Sequence, residues 1–164
     1  MAMTTLKDVL EHQVKDLYSA ETQLTSALPK MMEAATSQEL KDAFEQHLTQ
    51  TKEHVERLKQ AADQLGIKPT GEKCKGMEGL IKEAQDLIQE HDKSDALDAA
   101  LIAAAQRLEH YEIAGYGSAC QFAETLGESE VKQTLGQTLD EEEKTDKKLT
   151  HIAESTINKE AMRA

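Results

Sequence analysis

Aromatic residues make up only 3% of the chain and tryptophan is absent, which leaves aliphatic and small side chains to build whatever core there is. Proline occurs twice in 164 residues, so long stretches carry no helix breaker. The two cysteines, Cys74 and Cys120, fall in unlike contexts, a polar loop and a run of small helical residues, and neither belongs to a CxxC pair. They read as reduced thiols, not as a disulfide framework. No stretch approaches the roughly 18 apolar residues of a membrane span. The start of the chain, MAMTTLKDVLEHQ, lacks the basic and apolar regions of a secretory signal, so a cytoplasmic location is expected. Positive charge is also scarce. With 19 basic against 31 acidic residues the net charge is -12, which repels nucleic acid and anionic membrane and favours small cations.

What remains is rich in Ala, Leu, Glu, Lys and Gln, the strong helix formers, and predicts an all-α protein. The length suits a single domain spanning 1–164 with a core that needs no staples. A first helix is expected over about residues 5–35, with Leu10, Val14, Leu17, Glu21, Leu24, Leu28 and Met31 stepping by threes and fours along one seam. Pro29 should kink or unwind it a turn before its end. A second helix over about 38–65 begins after Ser37 and ends at Gly66, carrying Leu40, Phe44, His47, Thr51, His54 and Leu58 on its seam. The connector GIKPTGEKCKG leads to a shorter helix over about 77–90, a crossover long enough to traverse a bundle. Two more long helices follow over about 95–126 and 129–157, divided at Gly127. Two hairpins joined by a long crossover make the ferritin-like kind of four-helix bundle.

The seams of that bundle contain charge. Glu109 and Glu112, and likewise Glu143 and Asp146, stand three apart and so share a helix face. Unpaired ionised carboxylates cost several kcal/mol each, roughly, to bury, so a bundle that turns them inward is expected to hold cations among them. Oxygen ligands with some imidazole suit iron or manganese, two ions per chain being the natural count for bridged carboxylates. The candidate ligands are Glu21, His54, Glu109, Glu112, Glu143 and Asp146. On the last helix Glu142 is the stricter seam position, whereas Glu143 has the i, i+3 relation to Asp146, and the choice between them stays open. On the second helix Thr51 stands where a bridging Glu would be, a gap that Glu109 can fill. His47, two turns before His54, is either an additional ligand or a core polar group, and as a lone histidine it is read, like His12, as capped or solvated. Tyr18 and Tyr116 are placed to hydrogen-bond a ligand. The distances from Glu21 to His54 and from Glu112 to Asp146, 33 and 34 residues, hint at an internal duplication.

The phrases LYSAETQLTSALPK, CKGMEGLIKEA, DAALIAAAQRLEHYEIAGYG and TLDEEEKTDKKLT closely resemble the YciE/YciF family of bacterial ferritin-like stress proteins, over about residues 6–157. The resemblance implies a rubrerythrin-related four-helix bundle, usually a homodimer, with a role in stress. It matches Glu109 and Glu112 to the Glu-x-x-Glu of a third helix, Glu21 to a first-helix ligand, and Glu143 with Asp146 to a fourth-helix Glu-x-x-His whose His is replaced. The second-helix Glu-x-x-His is reduced to Thr51 and His54. The CxxC module that delivers electrons in rubrerythrins is absent. The leading expectation is a metal-binding stress protein, with redox chemistry on peroxide or O2 if it is an enzyme. A non-catalytic bundle with a decayed site is the alternative, and an oxidase of an organic substrate a third.

Overall fold

The computed structural model describes residues 3–164, and every described element is helical. Four long helices form the bundle: α1 (Leu6–Ala34), α2 (Gln38–Leu65), α4 (Asp95–Leu126) and α5 (Ser129–Ile152). The crossover carries α3 (Lys75–Glu90), and α5 passes through a π turn (Ala153–Ile157) into α6 (Asn158–Arg163). α1 pairs with α2 and α4 with α5, while α3 lies against α1 and α4.

The ends of these helices follow from local chemistry. Thr5 opens α1 in a reciprocal capping box with Asp8, and Ser37 and Ser94 cap α2 and α4. Gly66 and Gly127 close α2 and α4 at φ 71° and 75°, the left-handed conformation that glycine takes without a Cβ penalty. α1 runs on through Pro29 to Ala34, so the expected unwinding does not occur. α3 starts two residues before the expected Met77. Cys74 is its N-cap and is fully buried, not part of a solvated loop, with its thiol donating to Asp16 and touching the Tyr111 hydroxyl. Both cysteines are free. The last helix also extends past residue 157. In the run IAESTI an ordinary turn would bring Ser155 or Thr156 to the core after Ile152, whereas the wider π turn puts Ile157 there, 1% exposed.

The α1–α2 hairpin is locked from outside by Asp98 at the start of α4. Its buried carboxylate accepts from the backbone N–H of Thr36 at 2.8 Å and of Ser37 at 2.7 Å. Replacing Asp98 with Ala should orphan both donors at a cost of about 2 kcal/mol, lowering the melting temperature by about 4–8 °C. An unchanged melting temperature would mean that water satisfies both N–H groups.

The apolar interior is not continuous. One cluster, around Leu24, Leu28, Phe44, Leu101, Leu108 and Leu149, fills one end of the bundle. A second, around Leu10, Leu17, Leu58, Tyr116, Val131 and Leu135, fills the other. Between them every long helix contributes polar residues: Glu21 on α1, His47, Thr51 and His54 on α2, Glu109 and Glu112 on α4, Thr138 and Glu142 on α5, all buried. The bundle is therefore a sandwich of two apolar plugs around one polar layer.

Candidate metal centre

The polar layer is assembled by helical periodicity alone. His47 and His54 are seven residues apart, two turns, and share a face of α2, while Glu109 and Glu112 share a face of α4 at i, i+3. Glu21 projects between Leu17 and Leu24 of α1, and Glu142 between Leu135 and Leu149 of α5. Two sets of ligand atoms converge, each lying within 4.8 Å of one another: His47, Glu109, Glu112 and Glu142 in the first, Glu21, His54 and Glu142 in the second. Glu142 belongs to both.

Distances inside the layer are short but poorly aligned for hydrogen bonding. His47 Nε2 is 2.7 Å from Glu109 Oε1, and His54 Nδ1 is 2.9 Å from Glu142 Oε1 and 3.2 Å from Glu21 Oε1. Nevertheless His47 Nδ1 and Nε2, His54 Nδ1, both oxygens of Glu112 and of Glu142, and one oxygen each of Glu21 and Glu109 are buried without a hydrogen-bond partner. Buried polar atoms are nearly always paired, each exception costing about 1–3 kcal/mol, so such a concentration in one layer calls for a species that satisfies them together. Two contacts are ordinary. The Tyr116 hydroxyl donates to Glu21 Oε1 at 2.6 Å, and the Thr51 hydroxyl donates to the carbonyl of His47 at 2.8 Å.

Electrostatics report the same strain. Burial, reinforced by the neighbouring carboxylates, raises Glu112 well above the usual carboxyl range. Burial likewise pushes Glu109 and Glu142 up to about 7, and Glu21 is raised despite His54 beside it. His47 is lowered by burial and stays neutral. Burial alone would lower His54 too, but the Glu142 and Glu21 carboxylates outweigh it and raise it to about 11. Tyr116, buried beside Glu21, is raised well above its ordinary value and remains a phenol. One imidazolium against four carboxyl groups leaves the layer short of positive charge. Two divalent cations would balance four carboxylates. Carboxylate oxygens with imidazole nitrogens are a donor set that could hold such ions.

Residues 5–162 match a family described as a domain of unknown function, DUF892. The chain belongs to the DUF892 family. A curated relative, protein YciF of Escherichia coli strain K12, is 46% identical over 162 residues, 98% of each chain. The crystal structure of that E. coli stress protein superposes with a TM-score of 0.92, covering 96% of this chain and 99% of YciF. YcfI of Rhodopseudomonas palustris, a proposed structural protein, matches with a TM-score of 0.87 at 43% identity, covering 90% of this chain and 94% of the other. A protein of Xanthomonas campestris, 22% identical, has the same fold at a TM-score of 0.79.

In this DUF892 chain the structure brings four of the six expected ligands, Glu21, His54, Glu109 and Glu112, into one layer. The pair Glu143 and Asp146 lies elsewhere. At 100° per residue, turning Glu142 inward swings Glu143 out to solvent, where it is exposed. Asp146, one turn beyond Glu142, sits at the α4–α5 rim, 18% exposed, 3.3 Å from His110 and accepting from Gln106. Glu142 and His47 lie in the layer instead. The signals for both were present: Glu142 keeps the strict seam spacing, and His47 stands two full turns from His54. Of the tyrosines, Tyr116 touches a cluster residue, while Tyr18 lines a surface groove between α1 and α2.

Proposed function

We propose that this protein is a metal-binding stress protein whose centre holds two iron or manganese ions between Glu21, His47, His54, Glu109, Glu112 and Glu142. The observation that carries the reading is the set of buried, unpartnered ligand atoms converging from all four long helices. Glu142 would help to hold both ions, since it alone belongs to both groups. Iron or manganese there would supply redox chemistry with peroxide or O2, which fits a relative described as a stress protein. The chain's own contribution is confinement. The two apolar plugs limit water at the layer, and the Tyr116 hydroxyl holds one oxygen of Glu21 in place and leaves the other free for a cation. The resemblance to the YciE/YciF family further supports a cytoplasmic homodimer, and no described helix is long and apolar enough to cross a membrane.

A purely structural role is the rival, motivated by the description of YcfI. Metal loading separates the two. A cation bound only by the folded chain should stabilise it by about 4 kcal/mol at a thousand times its Kd, raising the melting temperature by about 8–16 °C. Adding Mn(II), or Fe(II) without air, and then a chelator should raise and reverse that shift in calorimetry. A melting temperature indifferent to metal and chelator would leave the structural reading.

A further inference from the structure

At the edge of the layer, α2 and α5 meet through two residue pairs spaced i, i+3: His54, itself in the layer, with Arg57, and Thr138 with Glu141. Glu141 Oε2 lies 2.7 Å from both His54 Nε2 and Arg57 Nη1. Arg57 Nη2 donates to the other Glu141 oxygen at 3.0 Å, completing a two-pronged contact, and Nη1 also donates to the Thr138 hydroxyl at 3.3 Å. Glu53, one turn back on α2, approaches Arg57 from solvent at 3.7 Å. A carboxylate held by a guanidinium accepts and does not donate, so the proton between Glu141 and His54 belongs to Nε2. Nδ1 is then the ring atom left for the interior, where it faces Glu21 and Glu142. His47 has no such anchor: its Nδ1 is buried without a partner.

We propose that the Arg57–Glu141 pair is a positioning device for one cation position only, fixing the His54 ring so that Nδ1 serves the Glu21–His54–Glu142 group. The inference rests on the metal-binding reading above. The two positions are consequently unequal, the anchored one preorganised and the His47 one free to adjust its ring. Outer carboxylates that orient a ligating imidazole are typically worth 10- to 100-fold in metal affinity. Arg57 and Glu141 are 20% and 24% exposed, so removing either opens no cavity in the core.

Co(II) is the probe, since its spectra and the hyperfine-shifted ring N–H protons of bound histidines report each position. The wild-type chain should take up about two Co(II), with the ring N–H signal of His54 Nε2 protected by its hydrogen bond to Glu141. Glu141→Ala should weaken one of the two positions by 10- to 100-fold, abolish the protected signal and leave the other position unchanged. Glu141→Gln, which keeps an acceptor without the charge, should fall between, and serves if the alanine variant does not fold. Arg57→Met should act in the same direction more weakly. Uptake within twofold of wild type at both positions, with the N–H signal intact, would overturn the positioning role and leave metal binding standing. A wild-type chain that takes up no Co(II) would overturn the metal reading and this inference with it.

Discussion

Replacing Glu142 with Ala is expected to cost the protein most of its metal, from about two ions per chain to at most one held weakly, while Glu143→Ala leaves the content unchanged. The reason is connectivity. Glu21 and His54 reach one group, and His47, Glu109 and Glu112 reach the other, but Glu142 contributes to both. Removing a ligand from one group weakens that group, whereas removing the shared carboxylate also takes away the charge that lets two cations sit side by side. Glu143 is the appropriate control because it has the same charge one residue along α5 and faces solvent. Elemental analysis after reconstitution with Mn(II) and desalting measures both variants. Retention of two ions in Glu142→Ala with loss in Glu143→Ala would mean that α5 is rotated by about one residue from the arrangement described, bringing the Glu143–Asp146 pair back to the centre.

That one-residue question marks where reading the sequence stops. The number of long helices, their caps at Ser37, Gly66 and Gly127, and the crossover helix follow from period, capping and breaker chemistry, all of which are local. Glu21, Glu109 and Glu112 were equally legible, because each interrupts an otherwise apolar seam. The fourth helix was harder. DEEEKTDKK offers an acidic residue at several neighbouring angles, and the one that enters the core is set by packing of Leu135 and Leu149 against α2 and α4. The i, i+3 relation and the family resemblance both favour Glu143 with Asp146, yet the stricter seam position is Glu142. His47 stays open in the sequence for another reason. A single buried imidazole is commonly a core group, and its meaning depends on Glu109 arriving at 2.7 Å from a helix about sixty residues later. The π turn after Ile152 lay beyond local rules as well, since only tertiary packing requires Ile157 to face inward.

Glu112→Met should remove metal binding and at the same time raise the melting temperature of the metal-free chain. Both Glu112 oxygens are buried and neither makes a hydrogen bond, so the substitution breaks no hydrogen bond and replaces a desolvated carboxyl with an apolar side chain of similar volume. Relief of about 1–3 kcal/mol corresponds to roughly 2–12 °C. The pH dependence carries its own sign. Glu109 and Glu142 titrate near 7 in the folded chain against an ordinary 4.5, so between those values the folded state binds more protons than the unfolded one. Their stabilising contribution is complete below 4.5 and fades as pH rises towards 7. His54, raised to about 11 from 6.5, acts in the same sense over a higher range, its contribution complete below 6.5 and lost towards 11. Metal-free wild type should therefore melt lower at pH 8 than at pH 5. Glu112→Met should gain more at pH 8, where a carboxyl no longer has to be kept protonated against its neighbours. Cations reverse the trend for the wild type, because they take the place of those protons and bind better as the carboxyls ionise. Calorimetry of both proteins at the two pH values, with chelator and with Mn(II), tests all of this together. A metal-free wild type that is more stable at pH 8, or a variant that melts lower than wild type at both values, would mean that the layer is hydrated and its carboxylates need no cation.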